Sequence, residues 1–319
     1  MDFLLSFCYH HYYGSKSENR FLRSEIKMDS KKQKGNFLSY GAYILSLLIF
    51  GTNGLYVSNI SLSSSQTVLM RTLIGGLLLT CLVLFKGGFD RDSVRAERKA
   101  LILGGAALGL NWVTLFGAYK MLNVSLATLI YYVGPILVLL FSPVLFREKL
   151  SGRKILSAAV VAAGLICISG SIVLSGMNSL GLLVAMLSAL FYAALIIFNK
   201  KIVRTTGLQT AAIELDVAFA VVLVYTLCTE GLPRMMAGDL PYIAGLGFIN
   251  TGLAYLLYVT GLQKLSGQSV ALISYLDPVS APLFSAVFLH EAMTPVQIIG
   301  AILIIGGAMI GEIKTQRLQ

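Results

Sequence analysis

The stretch Leu129–Glu148, LIYYVGPILVLLFSPVLFRE, returns as Leu272–Glu291, LISYLDPVSAPLFSAVFLHE. The two align without a gap at an offset of 143 residues, and nine of their twenty positions are identical. The shared positions include Tyr132/Tyr275, Pro135/Pro278, Phe141/Phe284 and Glu148/Glu291. Shared hydrophobicity does not match a proline and a glutamate thirteen residues apart, so the chain holds two copies of one structural unit. In a membrane chain, Pro-interrupted apolar segments at corresponding places in two halves point to a transport site.

The rest of the chain is membrane-like. Of 319 residues, 56% are hydrophobic and 13% charged, against about 25% charged in a soluble domain. The net charge of +10 resembles a nucleic-acid signal, but the basic residues sit in short breaks between apolar runs, so no nucleic-acid partner is expected. Cys8, Cys81, Cys167 and Cys228 lack CxxC spacing, and His10, His11 and His290 lack ligand spacing. Neither a metal nor a cofactor is expected.

Residues 1–36 read as a polar cytoplasmic leader; Met28, followed by Asp-Ser-Lys-Lys-Gln-Lys, is a candidate start. Ten apolar runs follow, at about 37–58, 65–85, 101–119, 125–146, 155–175, 180–199, 210–229, 241–263, 268–289 and 295–313. Each is long enough to cross a core about 30 Å thick as a helix, and none shows the alternation of a membrane barrel. With a cytoplasmic N-terminus, 22 Lys and Arg fall on the inside; Lys120 and Arg234 fall outside and Arg71 within a span. The expected fold is therefore an all-α polytopic membrane protein with ten transmembrane helices and both termini cytoplasmic. Five spans per repeat is odd, so residues 37–175 and 176–319 are expected to be inverted five-helix repeats, an architecture suited to alternating access.

The two stretches end in Arg147-Glu148-Lys149-Leu150-Ser151 and His290-Glu291-Ala292-Met293-Thr294. Over about residues 37–313 the chain resembles the EamA-type transporters of the drug/metabolite transporter superfamily, whose helix ends carry a Glu closely followed by an apolar residue and Ser or Thr. That family commonly has Gly before the Glu, where Arg147 and His290 stand here. The resemblance implies a central cavity and transport of small organic solutes, often amino acids and often outward, in the cell membrane. A secondary transporter of small polar metabolites is the expected function; a channel-like facilitator or an intramembrane enzyme is the alternative.

Asp277 falls near the middle of its run, where an ionised carboxylate is expensive. It must face a cavity, be paired or take up a proton, and it is the candidate coupling or substrate-contacting residue; the alternatives are that it satisfies backbone freed by Pro278 or pairs with a residue such as Arg71. Arg71 reads as an anion contact, a snorkelling cation or one half of a structural ion pair. Glu214, its equivalent at the repeat offset, reads as a site residue or, with Asp216, as an interfacial group near Arg204 and Lys201. Asn111, Trp112, Tyr132, Tyr255 and Tyr275 lie deep enough to need partners for their polar atoms, whereas Tyr43 and Tyr119 read as interfacial anchors. Pro135 and Pro278 are expected to break their helices. Glu148 and Glu291 are expected to be structural, accepting hydrogen bonds from the first amides of the next helix. Gly105-x-x-x-Gly109 and Gly307-x-x-x-Gly311 permit close helix approach, within one chain or in a dimer. The expected partners are thus a small-molecule substrate, the lipid bilayer and, at Asp277, a coupling proton.

Overall fold

The computed structural model describes residues 37–122, 124–169, 178–288 and 293–312; the candidate start at Met28, as well as His290 and Glu291, lies outside them. Among the described residues there is no strand. The helices in chain order are α1 (Phe37–Val57), α2 (Ser64–Phe85), α3 (Arg91–Met121), α4 (Leu126–Phe146) and α5 (Gly152–Ile168). They continue as α6 (Ser179–Lys201), α7 (Gly207–Thr229), α8 (Ala237–Lys264), α9 (Gly267–Phe288) and α10 (Pro295–Glu312). Nine of these are long and apolar enough to cross a membrane. The described part of α5 is shorter, at 17 residues. Large apolar side chains such as Phe85, Val144, Ile302 and Met309 project outward from the bundle, as a lipid-facing surface requires.

Helix starts follow from side-chain caps that satisfy orphan amides. Ser63 forms a capping box with Gln66 on α2, and Ser151, Asn178, Thr206 and Ser266 cap α5, α6, α7 and α9. Asp90 caps α3 and starts it about ten residues before the apolar run at 101. At 1.5 Å per residue its 31 residues reach about 46 Å, more than the hydrocarbon core needs. Hydropathy marks only the part of α3 matched to lipid, which is why the expected span was shorter than the helix.

Glycines set the closest crossings. A Cβ on Gly164 of α5 would lie 2.7 Å from the Gly300 carbonyl of α10, and one on Gly300 would lie 2.6 Å from the Gly164 carbonyl. Both small-residue stripes serve contacts within this chain. Gly105 and Gly109 of α3 meet Val217 and Val221 of α7, and Gly307 and Gly311 of α10 meet Val161 and Ser157 of α5.

Four helices lose regularity toward the middle of the bundle. In α4 the regular turns are interrupted at Tyr132 (φ −73°, ψ 3°), three residues before Pro135. In α9 a 3₁₀ turn, Ser274–Leu276, precedes Asp277-Pro278. A proline has no amide proton for the carbonyl four residues back, which loosens the turn before it. The Tyr275 hydroxyl, from the α9 break, donates to the Tyr132 carbonyl at the α4 break at 2.7 Å. In α8 residues Leu246–Leu253 are π-helical. There Asn250 donates its amide to the Ile49 carbonyl at 2.7 Å and to Asn53 Oδ1 at 3.0 Å, where α1 turns at Thr52.

Candidate functional site

The turn in α1 and the breaks in α4 and α9 border a cavity of about 340 Å³. Its wall combines Asn53 and Val57 of α1, Arg71 of α2, Trp112 and Tyr119 of α3, Tyr131 and Tyr132 of α4, Tyr192 of α6, Tyr255 and Tyr258 of α8, and Asp277 of α9. The wall is largely aromatic with one cation and one carboxylate. Such a surface binds by stacking and by a few oriented charges.

Arg71 is held from two sides. Its Nε donates to Thr251 Oγ1 at 2.8 Å, and its guanidinium carbon lies 5.2 Å from the centroid of the Trp112 ring. Thr251 Oγ1 donates in turn to the Leu246 carbonyl, five residues back in the π-helical stretch, at 3.0 Å. That leaves its lone pair for Arg71. The terminal nitrogens of Arg71 have no hydrogen-bond partner among the described residues. They remain available for a bidentate anion contact, the geometry guanidinium suits best.

Asp277 Oδ2 accepts from the Tyr132 hydroxyl at 3.0 Å, and Oδ1 has no partner among the described residues. The only ion pair among those residues is Lys120–Glu230. Arg71 and Asp277 therefore share one cavity within electrostatic reach of each other but make no direct ion pair. The snorkelling alternative for Arg71 also fails, because its head is fixed on Thr251 and Trp112.

The other expected site residues divide. Trp112, Tyr132 and Tyr255 line the cavity. Asn111 reaches it too, but its amide is committed to Ser188, bonding the carbonyl at 2.8 Å and Oγ at 3.1 Å. Tyr275 is not on the wall; it is buried in the joint between the two helix breaks. Glu214 is fully buried behind the wall, accepting from the Tyr255 hydroxyl at 2.7 Å and from Asn199 Nδ2 at 2.8 Å and 3.0 Å. Neither Glu214 nor Asp216 pairs with Arg204 or Lys201; Asp216 accepts from Thr80 at 2.7 Å.

Tyr43 and Tyr119 are not interfacial anchors. Tyr43 is 0% exposed, with its hydroxyl 2.8 Å from Ser274 Oγ. Tyr119 lines the cavity and meets Thr128 at 3.1 Å. Tyr131, Tyr192 and Tyr258 complete the wall, and the Tyr258 hydroxyl has no partner among the described residues. Their sequence signal was only aromatic identity deep in an apolar run. A helix apolar on every side gives no periodicity from which to choose the inward face.

Glu148, at the far end of α4, accepts from the Gly267 and Gln268 amides at 2.7 and 3.0 Å. These are the first amides of α9, not of α5, the next helix in the chain, which Ser151 caps. Glu97 of α3 accepts from the amides of Val203, Arg204 and Thr205 at 2.7–2.9 Å. Asp239, at the start of α8, accepts from the Ser61 amide at 2.9 Å. At the opposite end from Glu148, Glu230 binds Lys120 at 2.6 Å and also accepts from Ser63 and Ser65. Burial works against its ionisation, but the Lys120 bond and the two hydroxyls outweigh it and hold the carboxyl down at about 2.

Apolar helices packed around an aromatic cavity with opposite charges on its wall define a multi-pass membrane protein of the transporter class. The profile of the EamA-like transporter family matches residues 37–170 and 179–310, and the chain belongs to that family. It is 28% identical over 292 residues to the "Uncharacterized transporter YxxF" of Bacillus subtilis, covering 90% of this chain and 93% of that one. It is 27% identical over 198 residues to a "Probable amino-acid metabolite efflux pump" of Escherichia coli, covering 58% and 66% of the two chains. A crystal structure superposes with a TM-score of 0.77 over 88% of this chain and 97% of the other, at 21% identity, which speaks to the fold alone. The protein is thus a transporter rather than an enzyme, and a multi-pass protein of the cell membrane.

Proposed function

We propose that this protein is a secondary transporter that exports small zwitterionic metabolites, amino acids or close relatives, by alternating access. The observation that carries the reading is the placing of Arg71 and Asp277 on one aromatic wall, unpaired with each other and each with polar atoms to spare. A solute with a carboxylate and an ammonium satisfies both. Arg71 takes the carboxylate and Asp277 the ammonium, while Trp112 and the tyrosines cover the apolar part. A volume of about 340 Å³ suits a small metabolite. The name of the Escherichia coli relative agrees with that substrate class.

Ten spans in two inverted halves, with both termini cytoplasmic, complete the reading. The Lys and Arg distribution supports the orientation. Contacts that recur at the repeat offset support the halves. Residue 71 plus 143 is 214, and 112 plus 143 is 255: Arg71 meets Trp112 as Glu214 meets Tyr255. Glu97 and Asp239, one position from exact correspondence, each tie the start of a central helix to the loop before another. In this orientation the wall residues Asn53, Val57 and Tyr119 lie toward the outer ends of α1 and α3, which supports a cavity that opens outward. Below it Tyr43, Leu139, Leu272 and Tyr275 are tightly buried. A cavity closed on one side fits a carrier better than a pore.

The test is titration of Trp112, the single tryptophan in the sequence, by fluorescence. L-amino acids should change its emission with saturation, while matched monoamines and monocarboxylates bind more weakly. Equal affinity for all three classes would remove the zwitterion from the account.

A further inference from the structure

Glu214 is an ionisable side chain sealed among neutral groups. It is 0% exposed. α3 closes over it with Gly104 and Gly105: a methyl on Gly104 would strike Glu214 Oε1, and one on Gly105 would meet its backbone. Its donors are the Asn199 amide and the Tyr255 hydroxyl, neither of them charged. The amide oxygen of Asn199 is buried with no partner among the described residues.

Charged and titratable groups on the surrounding helices turn elsewhere. Arg71 of α2 is on Thr251 and Trp112. Glu97 of α3 holds the amides of 203–205. On α6, Lys200 donates to the Leu265 carbonyl and Lys201 lies over Phe198. On α8, Tyr258 stacks on Tyr255 and Lys264 ends the helix nine residues further on. Asp216 of α7 itself is on Thr80. An ionised carboxylate buried without a counter-charge is costly, so this site is built to hold a proton.

Its place in the repeat gives that proton a path. Glu214 and Tyr255 are the offset equivalents of Arg71 and Trp112, and the first-half pair is open to the cavity while Glu214 is sealed. Exchanging the conformations of the halves would open the second pair to the other side. Tyr255 touches both spaces, lining the cavity and bonding Glu214.

We propose that Glu214, Tyr255 and Asn199 form the site of the coupled proton, separate from the Arg71–Asp277 substrate contacts. In the outward-open state a hydronium ion in the cavity gives a proton to the Tyr255 oxygen as the phenolic proton passes to the Glu214 carboxylate, leaving a water and a net uptake of one proton from outside. In the inward-open state Glu214 returns it to cytoplasmic water. This inference rests on the transport reading above, and two measurements separate them.

The first needs no substrate. The infrared spectrum of the protein in lipid at neutral pH should show a deuterium-sensitive protonated-carboxyl band that Glu214→Gln removes and Asp277→Asn keeps. Tyr255→Phe, which keeps the carboxyl but removes its phenol, should shift that band, so the assignment holds even if Glu214→Gln fails to fold. No band in the parent, or one indifferent to both Glu214→Gln and Tyr255→Phe, overturns the site. The second uses proteoliposomes and a radiolabelled mixture of the common L-amino acids. Glu214→Gln should retain exchange but lose accumulation driven by an imposed pH gradient. Gradient-driven accumulation equal to the parent's overturns the coupling role, as does exchange and accumulation falling in the same proportion. Absence of exchange in the parent would count against the transport reading, with the infrared band still deciding whether Glu214 holds a proton.

Discussion

Asp277→Asn is the perturbation whose size the cavity geometry fixes best. Asparagine keeps the shape, and its oxygen can still accept from Tyr132, as Asp277 Oδ2 does at 3.0 Å. The α9 break and the cavity floor therefore remain. What changes is the bond to a substrate ammonium, from charge-assisted to neutral. Charge-assisted hydrogen bonds contribute about 1.5–3 kcal/mol and neutral ones about 0.5–1.5 kcal/mol, a difference of about 1–2 kcal/mol. At about 1.4 kcal/mol per tenfold, that is a loss of about 5–30-fold in affinity. Trp112 fluorescence measures it, using the amino acid that gives the parent its largest response. The control is the matching 2-hydroxy acid, which has the carboxylate for Arg71 but no ammonium. Its affinity should change less than threefold, within about 0.6 kcal/mol. Equal weakening of both ligands would show a disturbed cavity, and no weakening of the amino acid would show that Asp277 does not meet the ammonium.

Other expectations concern the frame that holds the cavity. Glu148→Gln removes the charge from two bonds to the α9 amides; at about 1–3 kcal/mol it should lower folded yield on size exclusion while leaving the affinity of the folded fraction unchanged. Gly300→Ala sets a methyl 2.6 Å from the Gly164 carbonyl and should destabilise by about 1–3 kcal/mol, read as a thermal midpoint lowered by several degrees. For Glu230 the sign is set by a carboxyl held at about 2, below its unfolded value of about 4.3. Its stabilisation is complete above about pH 4.3 and fades as pH falls toward 2. The difference in thermal midpoint between the parent and Glu230→Gln should follow that course; a difference that grows on acidification would contradict the Lys120–Glu230 assignment.

The parts legible in the sequence are those with a short-range cause. Helices follow from run length and low charge, starts from Ser, Thr, Asn and Asp caps, and the breaks in α4 and α9 from Pro135 and Pro278. Asp277 and Arg71 stood out because charge is rare in such runs. The contacts across the bundle were harder to read. Nothing near Glu148 in the chain identifies its partners, Gly267 and Gln268, more than a hundred residues away. Tyr43 and Tyr119 sit toward the ends of their runs, where an anchor and a wall residue look alike. The π-helical stretch of α8 left only a faint trace, Asn250-Thr251 in an apolar segment, and its consequence, the Thr251 hydroxyl turned to Arg71, depends on α2. Glu214 resembled an interfacial group because its neutral setting is assembled from α3, α6 and α8.

The central claim, a carrier that alternates access to one zwitterion-binding cavity, is tested most directly by counterflow. Proteoliposomes loaded with an unlabelled mixture of the common L-amino acids are diluted into a trace of the same mixture carrying radiolabel. The account predicts a transient overshoot of label inside, saturable by external amino acid and absent when Arg71→Ala and Asp277→Asn are combined. Label that rises to equilibrium without overshoot and without saturation would identify a pore, and uptake equal to that of empty liposomes would leave amino acids outside its substrates; either result contradicts the account.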